Sequence, residues 1–125
     1  MRKRGLAILI AVLALPVVFN YHSEQPVEAL RAAYTYSESA FMEVMGMPVH
    51  YRSVGEGPVL LLLHGTGATL HTWEGWTTEL QDSFRVISVT LPAFGLTGPH
   101  PEEDYSIPAY VDFVEAFAKK AGLER

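Results

Sequence analysis

His64-Gly65-Thr66-Gly67-Ala68-Thr69 is the stretch of this sequence whose residue types and spacing suit chemistry. It directly follows the apolar run Val59-Leu60-Leu61-Leu62-Leu63, so it falls where a buried strand gives way to a loop. In open α/β sheets, ligands bind at the carboxyl ends of strands. Gly65 and Gly67 allow a sharp turn that aims backbone N–H groups into such a crevice. Two chemistries use donors of this kind, a phosphate cradle and an oxyanion hole. A dinucleotide fingerprint requires glycine where Leu70 stands, and a P-loop requires Lys followed by Ser or Thr after its second glycine. Neither is present. The bland alternative is a glycine turn with no ligand.

The remaining polar residues are weighed against equally plain readings. His64 is either a catalytic base or, at a strand–loop junction, a histidine that braces the loop. His71, near Trp73, reads as a solvated residue at a helix start. His50 and Arg52 read as the exposed face of a strand. Trp73 and Trp76 lie three apart on one helix and read as packing residues, and Glu102-Glu103-Asp104 as a solvated loop. The five histidines show no i, i+4 pair or other ligand spacing, so no metal is expected. With no cysteine, a disulfide scaffold, a thiol nucleophile, and Cys-ligated zinc or iron–sulfur sites are excluded. The net charge is −5. Setting aside Arg2-Lys3-Arg4 leaves six basic against fourteen acidic side chains, a poor surface for a phosphate backbone. No nucleic-acid partner and no cofactor are expected.

A chain of 125 residues holds at most one domain. Arg2-Lys3-Arg4 precedes an apolar run from Leu6 to Phe19, the layout of an export signal. As a helix, residues 5–21 would span about 25 Å, slightly under a hydrocarbon core of roughly 30 Å. The bulky residues Val17 to Tyr21 disfavour cleavage, so residues 1–22 read as a signal anchor. A cleaved signal peptide and a buried helix are the alternatives. The basic cluster would stay cytoplasmic, which places the domain on the extracytoplasmic side, or secretes it if the signal is removed. Residues 23–38 read as a helical spacer starting near Pro26, and 39–125 as the domain. Within it, two alternating segments flank Gly46 and form a hairpin, and Val59 to Leu63 reads as a strand buried on both faces. A helix follows over His71 to Leu80, then a strand over Phe84 to Thr90 and a Pro/Gly-rich loop. A second helix is capped by Ser106 and stopped by Gly122. Two hairpin strands followed by β-α-β-α make an α/β sheet.

From Gly46 to Arg125 the sequence resembles the N-terminal part of an α/β-hydrolase fold protein. The resemblance rests on Leu61-Leu62-Leu63-His64-Gly65 with Trp73 downstream, then Leu91-Pro92-Ala93-Phe94-Gly95-Leu96-Thr97 after the next strand. It implies that the Thr66 backbone N–H is one oxyanion-hole donor, with Gly65 and Gly67 shaping its loop and His64 bracing it. Thr90 stands where the family usually has Asp, and Ala93 where it usually has Gly. The first change is expected to remove a loop-ordering acceptor. The second implies either that a positive φ is not required or that it is tolerated with strain.

The family's nucleophile sits in a G-x-S-x-G elbow, and the acid and histidine follow it in chain order. No Ser or Asp here has Gly at both −2 and +2. The resemblance therefore implies a chain that stops before the elbow and is inactive alone. It also implies an exposed edge on Val59–Leu63, open to self-association. Two functional readings follow. One is a membrane-anchored or secreted hydrolase that acts on an ester-like small molecule by acyl transfer, with an Asp nucleophile as the family's variant. The other is a non-catalytic anchored binding or accessory protein.

Overall fold

A computed structural model describes residues 25–123. Their order is helix α1 (Val27–Tyr34), strands β1 (Ser39–Val44), β2 (Met47–Val54) and β3 (Val59–Leu63), a 3-10 turn (Leu70–Trp73) running into α2 (Glu74–Leu80), strand β4 (Arg85–Val89) and helix α3 (Ile107–Lys120). The apolar run at residues 5–21, read above as an anchor, lies outside the described residues. Among those described, no helix is long and apolar enough to cross a membrane.

β1 and β2 pair antiparallel through a two-residue turn at Met45-Gly46, with φ of 52° and 78°. Two consecutive positive φ values match the twist that a tight hairpin needs, and the glycine supplies one of them without strain. β4 joins β2 antiparallel and β3 parallel, giving the order β1-β2-β4-β3. The strand buried along most of its length is therefore β4, whose Val86 to Val89 are all buried. β3 is half-buried, with Val59 and Leu63 43% and 40% exposed, which corrects the expectation of burial on both faces. The physical reason is position. Among the described residues β3 has a single strand neighbour and its flank opposite β4 pairs with no strand, and a continuous apolar run does not reveal how many neighbours a strand has.

One face of the sheet is covered by α3. Ser106 caps this helix through its hydroxyl on the Ala109 N–H. Phe113 and Phe117 are fully buried against Val44, Met47, Val49, Ile87 and Val89, and Tyr51 meets the Phe117 ring edge-on at 5.6 Å. The helix ends with Leu123 N–H on the Ala118 carbonyl and Gly122 N–H on that of Lys119, with Gly122 at φ 68°. This pair of bonds is a Schellman stop, which the glycine makes possible. The opposite face is covered by α2, the 3-10 turn and the segment from α1 to β1. That cover overturns the reading of His50 and Arg52 as exposed: they are 1% and 8% exposed. Because β2 is an inner strand covered on both sides, side chains of both parities are buried.

Candidate active-site loop

The loop after β3 is a β-turn closed by the Ala68 N–H on the Gly65 carbonyl at 3.3 Å. Gly67, its third residue, has φ 74°, while Thr66 before it keeps a negative φ. That combination defines a type II turn, in which the third position calls for glycine. The turn itself does not use the N–H of Thr66. Among the described residues Thr66 N–H and Gly67 N–H meet no acceptor, and both residues are exposed. The loop thus presents two adjacent free donors at the carboxyl end of a parallel strand.

His64 is buried, at 5% exposure, and uses both ring nitrogens. Nε2 accepts the Leu91 N–H at 2.9 Å, which places the proton on Nδ1, and Nδ1 donates to the Gly65 carbonyl at 2.8 Å. The ring therefore ties the end of β3 to the end of β4, and Phe94 meets it edge-on at 5.3 Å. With both nitrogens engaged, it has no lone pair left to take a proton from a nucleophile.

The loop's far end is fixed by hydroxyls. Thr69 caps the 3-10 turn through Oγ1 on the His71 N–H, and the same oxygen lies 2.9 Å from His71 Nδ1. Thr90 Oγ1 accepts the Leu70 N–H at 3.3 Å. The acceptor expected to be lost with the family's Asp is therefore supplied by threonine. Thr97 Oγ1 donates to the Thr90 carbonyl at 2.7 Å and accepts the His50 N–H at 3.0 Å, joining the second loop to β2. Leu91-Pro92-Ala93-Phe94 forms another turn, with Phe94 N–H on the Leu91 carbonyl and Ala93 at φ 66°. Of the two alternatives for Ala93, strain is the one observed: the turn keeps the left-handed conformation although a Cβ is present.

A group of aromatic and charged side chains, which periodicity did not reveal, joins α1 to this region. The Arg31 guanidinium lies 4.4 Å from the Phe41 ring centre, and Phe41 stacks on His50 at 4.8 Å. Tyr34 and Tyr36 pack against His71 at 6.1 and 5.0 Å, so His71 is half-buried rather than solvated. Arg52 lies over Tyr36 at 4.1 Å and bonds to Glu74 at 2.6 Å and Glu38 at 3.3 Å. Burial, then the nearby His71 and Arg31 charges, lower the His50 pKa to about 4. Trp73 is half-buried, but Trp76 is 61% exposed and does not pack as expected. A cavity of about 470 Å³ lies among α1, His50, Thr69, His71 and Gly95. The sequence signal for this cluster was weak. Ser39, Thr69, Thr90 and Thr97 are ordinary loop and strand residues until the fold brings them together.

A family model for the α/β hydrolase fold matches residues 58–125. The chain belongs to the α/β-hydrolase fold family. Among solved α/β-hydrolase relatives, a membrane phospholipase A described as a bacterial virulence factor is 26% identical, with a TM-score of 0.67 over 98% of this chain and 42% of that one. The Cif epoxide hydrolase of Acinetobacter nosocomialis is 26% identical, with a TM-score of 0.65 over 81% of this chain and 36% of that one. The pimeloyl-[acyl-carrier protein] methyl ester esterase of Vibrio parahaemolyticus is 40% identical over 60 residues, 48% of this chain and 24% of that protein. The chain spans about a quarter of the length of the curated relatives it matches first.

Proposed function

We propose that this chain carries the oxyanion-binding half of a hydrolase that cleaves an ester-like carbonyl by acyl transfer. The observation that carries the reading is the type II turn at Gly65–Ala68, which leaves the Thr66 N–H unpaired beside a pinned His64. When a nucleophile adds to a carbonyl, negative charge collects on the oxygen, and a fixed donor at that point stabilises the transition state more than the substrate. Gly65 and Gly67 set the turn, and His64 holds it against β4. His64 is a positioning residue. The ester-cleaving names of the phospholipase and the methyl ester esterase support an ester as the substrate class. Attachment to a membrane through residues 5–21 is part of the same reading. Its supports are the basic cluster ahead of Leu6 to Phe19 and the membrane phospholipase matched over 98% of this chain.

Thr66→Pro tests the reading in the native full-length protein. Proline is favoured at the second position of a type II turn, so the substitution removes the N–H while keeping the loop. Loss of one oxyanion donor lowers kcat about 10²- to 10³-fold. Hydrolysis of p-nitrophenyl butyrate that survives Thr66→Pro within threefold would remove Thr66 from the mechanism. Absence of ester turnover in the unmodified protein would favour a second reading, an anchored non-catalytic binding protein. The observation behind that alternative is the lack of any Ser or Asp with glycines at −2 and +2 in these 125 residues.

A further inference from the structure

The first and last residues of the oxyanion loop are held by two consecutive residues at the end of β4. His64, which opens the loop, accepts the Leu91 N–H on Nε2 at 2.9 Å. Leu70, which closes it, donates its N–H to Thr90 Oγ1 at 3.3 Å. Past the β3–β4 ladder, these are the two hydrogen bonds among the described residues that tie residues 64–70 to the end of β4. The type II turn that carries the Thr66 N–H lies between them and is closed only by its own Ala68 N–H on the Gly65 carbonyl. Where the turn sits therefore depends on where its two ends are fixed.

Thr90 is well placed to fix one of them. It is fully buried, its N–H donates to the His50 carbonyl at 2.9 Å, and its own carbonyl accepts Thr97 Oγ1 at 2.7 Å. The Thr90 hydroxyl thus sits on a frame already tied to β2. Leu70 is 2% exposed, so its N–H has no water to turn to if that hydroxyl is taken away. The second loop presses on the same place: a Cβ added at Gly95 would stand 2.9 Å from Thr69 Cγ2 and 3.3 Å from Thr90 Cγ2. An unpaired Leu70 amide would draw the start of the 3-10 turn toward another acceptor, and the turn ahead of it would move as well.

We propose that Thr90 is a positioning residue: through Leu70 it fixes the Thr66 N–H where the transition-state oxygen meets it. Thr90 itself touches no reacting atom. The kinetic consequence rests on the acyl-transfer reading, whereas the clamp on the loop does not. A donor misplaced by about 1 Å costs on the order of 10²-fold in rate. Because that donor is used in the transition state, the loss falls on kcat and not on KM.

The test uses the full-length protein, p-nitrophenyl butyrate hydrolysis and amide NMR. Thr90→Val keeps the shape and the γ-methyl but removes the acceptor, and should lower kcat about tenfold or more with KM within about twofold. Thr90→Ser keeps the hydroxyl and should hold kcat within about threefold. In Thr90→Val the Leu70 amide should exchange with deuterium at least about tenfold faster, and the Thr66 and Gly67 amide resonances should shift. Ile87→Val, three residues earlier on β4, controls for stability: it should lower the melting temperature without moving kcat or those resonances. If Thr90→Val does not fold, Thr90→Cys replaces it under the same expectations, since its sulfur is a weak acceptor. A kcat within about threefold in Thr90→Val, equal losses in Thr90→Ser and Thr90→Val, a change confined to KM, or unaltered Leu70 exchange would each overturn the proposal. The two readings fail separately. Turnover that is lost in Thr66→Pro but unchanged in Thr90→Val would refute the clamp and keep the acyl-transfer reading. A protein without ester turnover whose Leu70 exchange and Thr66 resonance still respond to Thr90→Val would refute acyl transfer and support the clamp.

Discussion

Ala93→Gly is expected to stabilise the protein, although it removes a side-chain carbon and loosens the unfolded chain. Ala93 is the third residue of the Leu91–Phe94 turn, with φ 66°, where a Cβ crowds the backbone. That conformation costs a non-glycine residue about 1–2 kcal/mol. Glycine removes this strain but gives back about 0.4–1 kcal/mol through the larger entropy of the unfolded state. The difference is a net gain of about 0.8 kcal/mol. In a protein of 150–250 residues each kcal/mol moves the melting temperature by roughly 2–4 °C, and in a larger one by less, so the shift should be upward and no more than about 3 °C. Ala93 is exposed, so no packing loss offsets the gain. The natural control is Gly95→Ala two residues on. There φ is 50° and a Cβ would stand 2.9 Å from Thr69 Cγ2, so strain and crowding add, for a loss of about 2 kcal/mol. Differential scanning calorimetry of both variants in the full-length protein decides the matter. A lower melting temperature for Ala93→Gly would show that the strain assigned to this turn is absent, and that the unfolded-state term governs.

Three further outcomes are expected from the same structure. His50 is neutral in the fold, with a pKa lowered to about 4, whereas an unfolded histidine titrates near 6.5; the unfolded state alone takes up a proton as pH falls through that window. Stability should therefore be flat above about pH 6.5 and fall by up to about 3 kcal/mol by pH 4, and urea titrations across this range should lose that slope in His50→Phe. Arg52 is buried while its partners Glu38 and Glu74 are 41% and 49% exposed, so removing the partners strands a charge but removing the arginine does not. The double change Glu38→Gln/Glu74→Gln should lower the midpoint of chemical denaturation more than Arg52→Met does; the reverse order would contradict the assignment. A Cβ at Gly55 would lie 2.3 Å from the Gln81 carbonyl oxygen and 2.4 Å from that of Phe84, at φ 79°. Gly55→Ala should destabilise the fold by about 3 kcal/mol or more, read as loss of soluble protein or of the calorimetric transition.

The elements were legible wherever a local rule governed them. Gly46, Ser106 and Gly122 announced a hairpin turn, a helix cap and a helix stop, and each does that in the structure. The sheet's neighbour relations were less legible. Val59–Leu63 and Arg85–Val89 are both short apolar strands, and nothing within either run shows that, among the described residues, β4 has two strand neighbours and β3 one. The same limit explains His50 and Arg52. Alternation along β2 separates two faces, but burial of the second face depends on α1, Tyr36 and Glu74, which come from segments far away in sequence. The loop at His64–Thr69 was visible as a motif, whereas the hydroxyl bonds at Thr90 and Thr97 exist only once two loops meet.

The strand order has a consequence during synthesis. β1 and β2 are neighbours in sequence and can pair as soon as both have left the ribosome. β3 emerges next, yet its one strand partner among the described residues, β4, ends about 26 residues later at Val89. At roughly 5–20 residues per second, five consecutive apolar side chains spend about 1–5 s without a ladder to join. That interval is when the nascent chain is most open to a chaperone or to a neighbouring nascent chain. Slowing elongation between Leu63 and Arg85 would lengthen it, so codon speed across the Thr66–Phe84 segment bears on yield even though it leaves the finished fold unchanged.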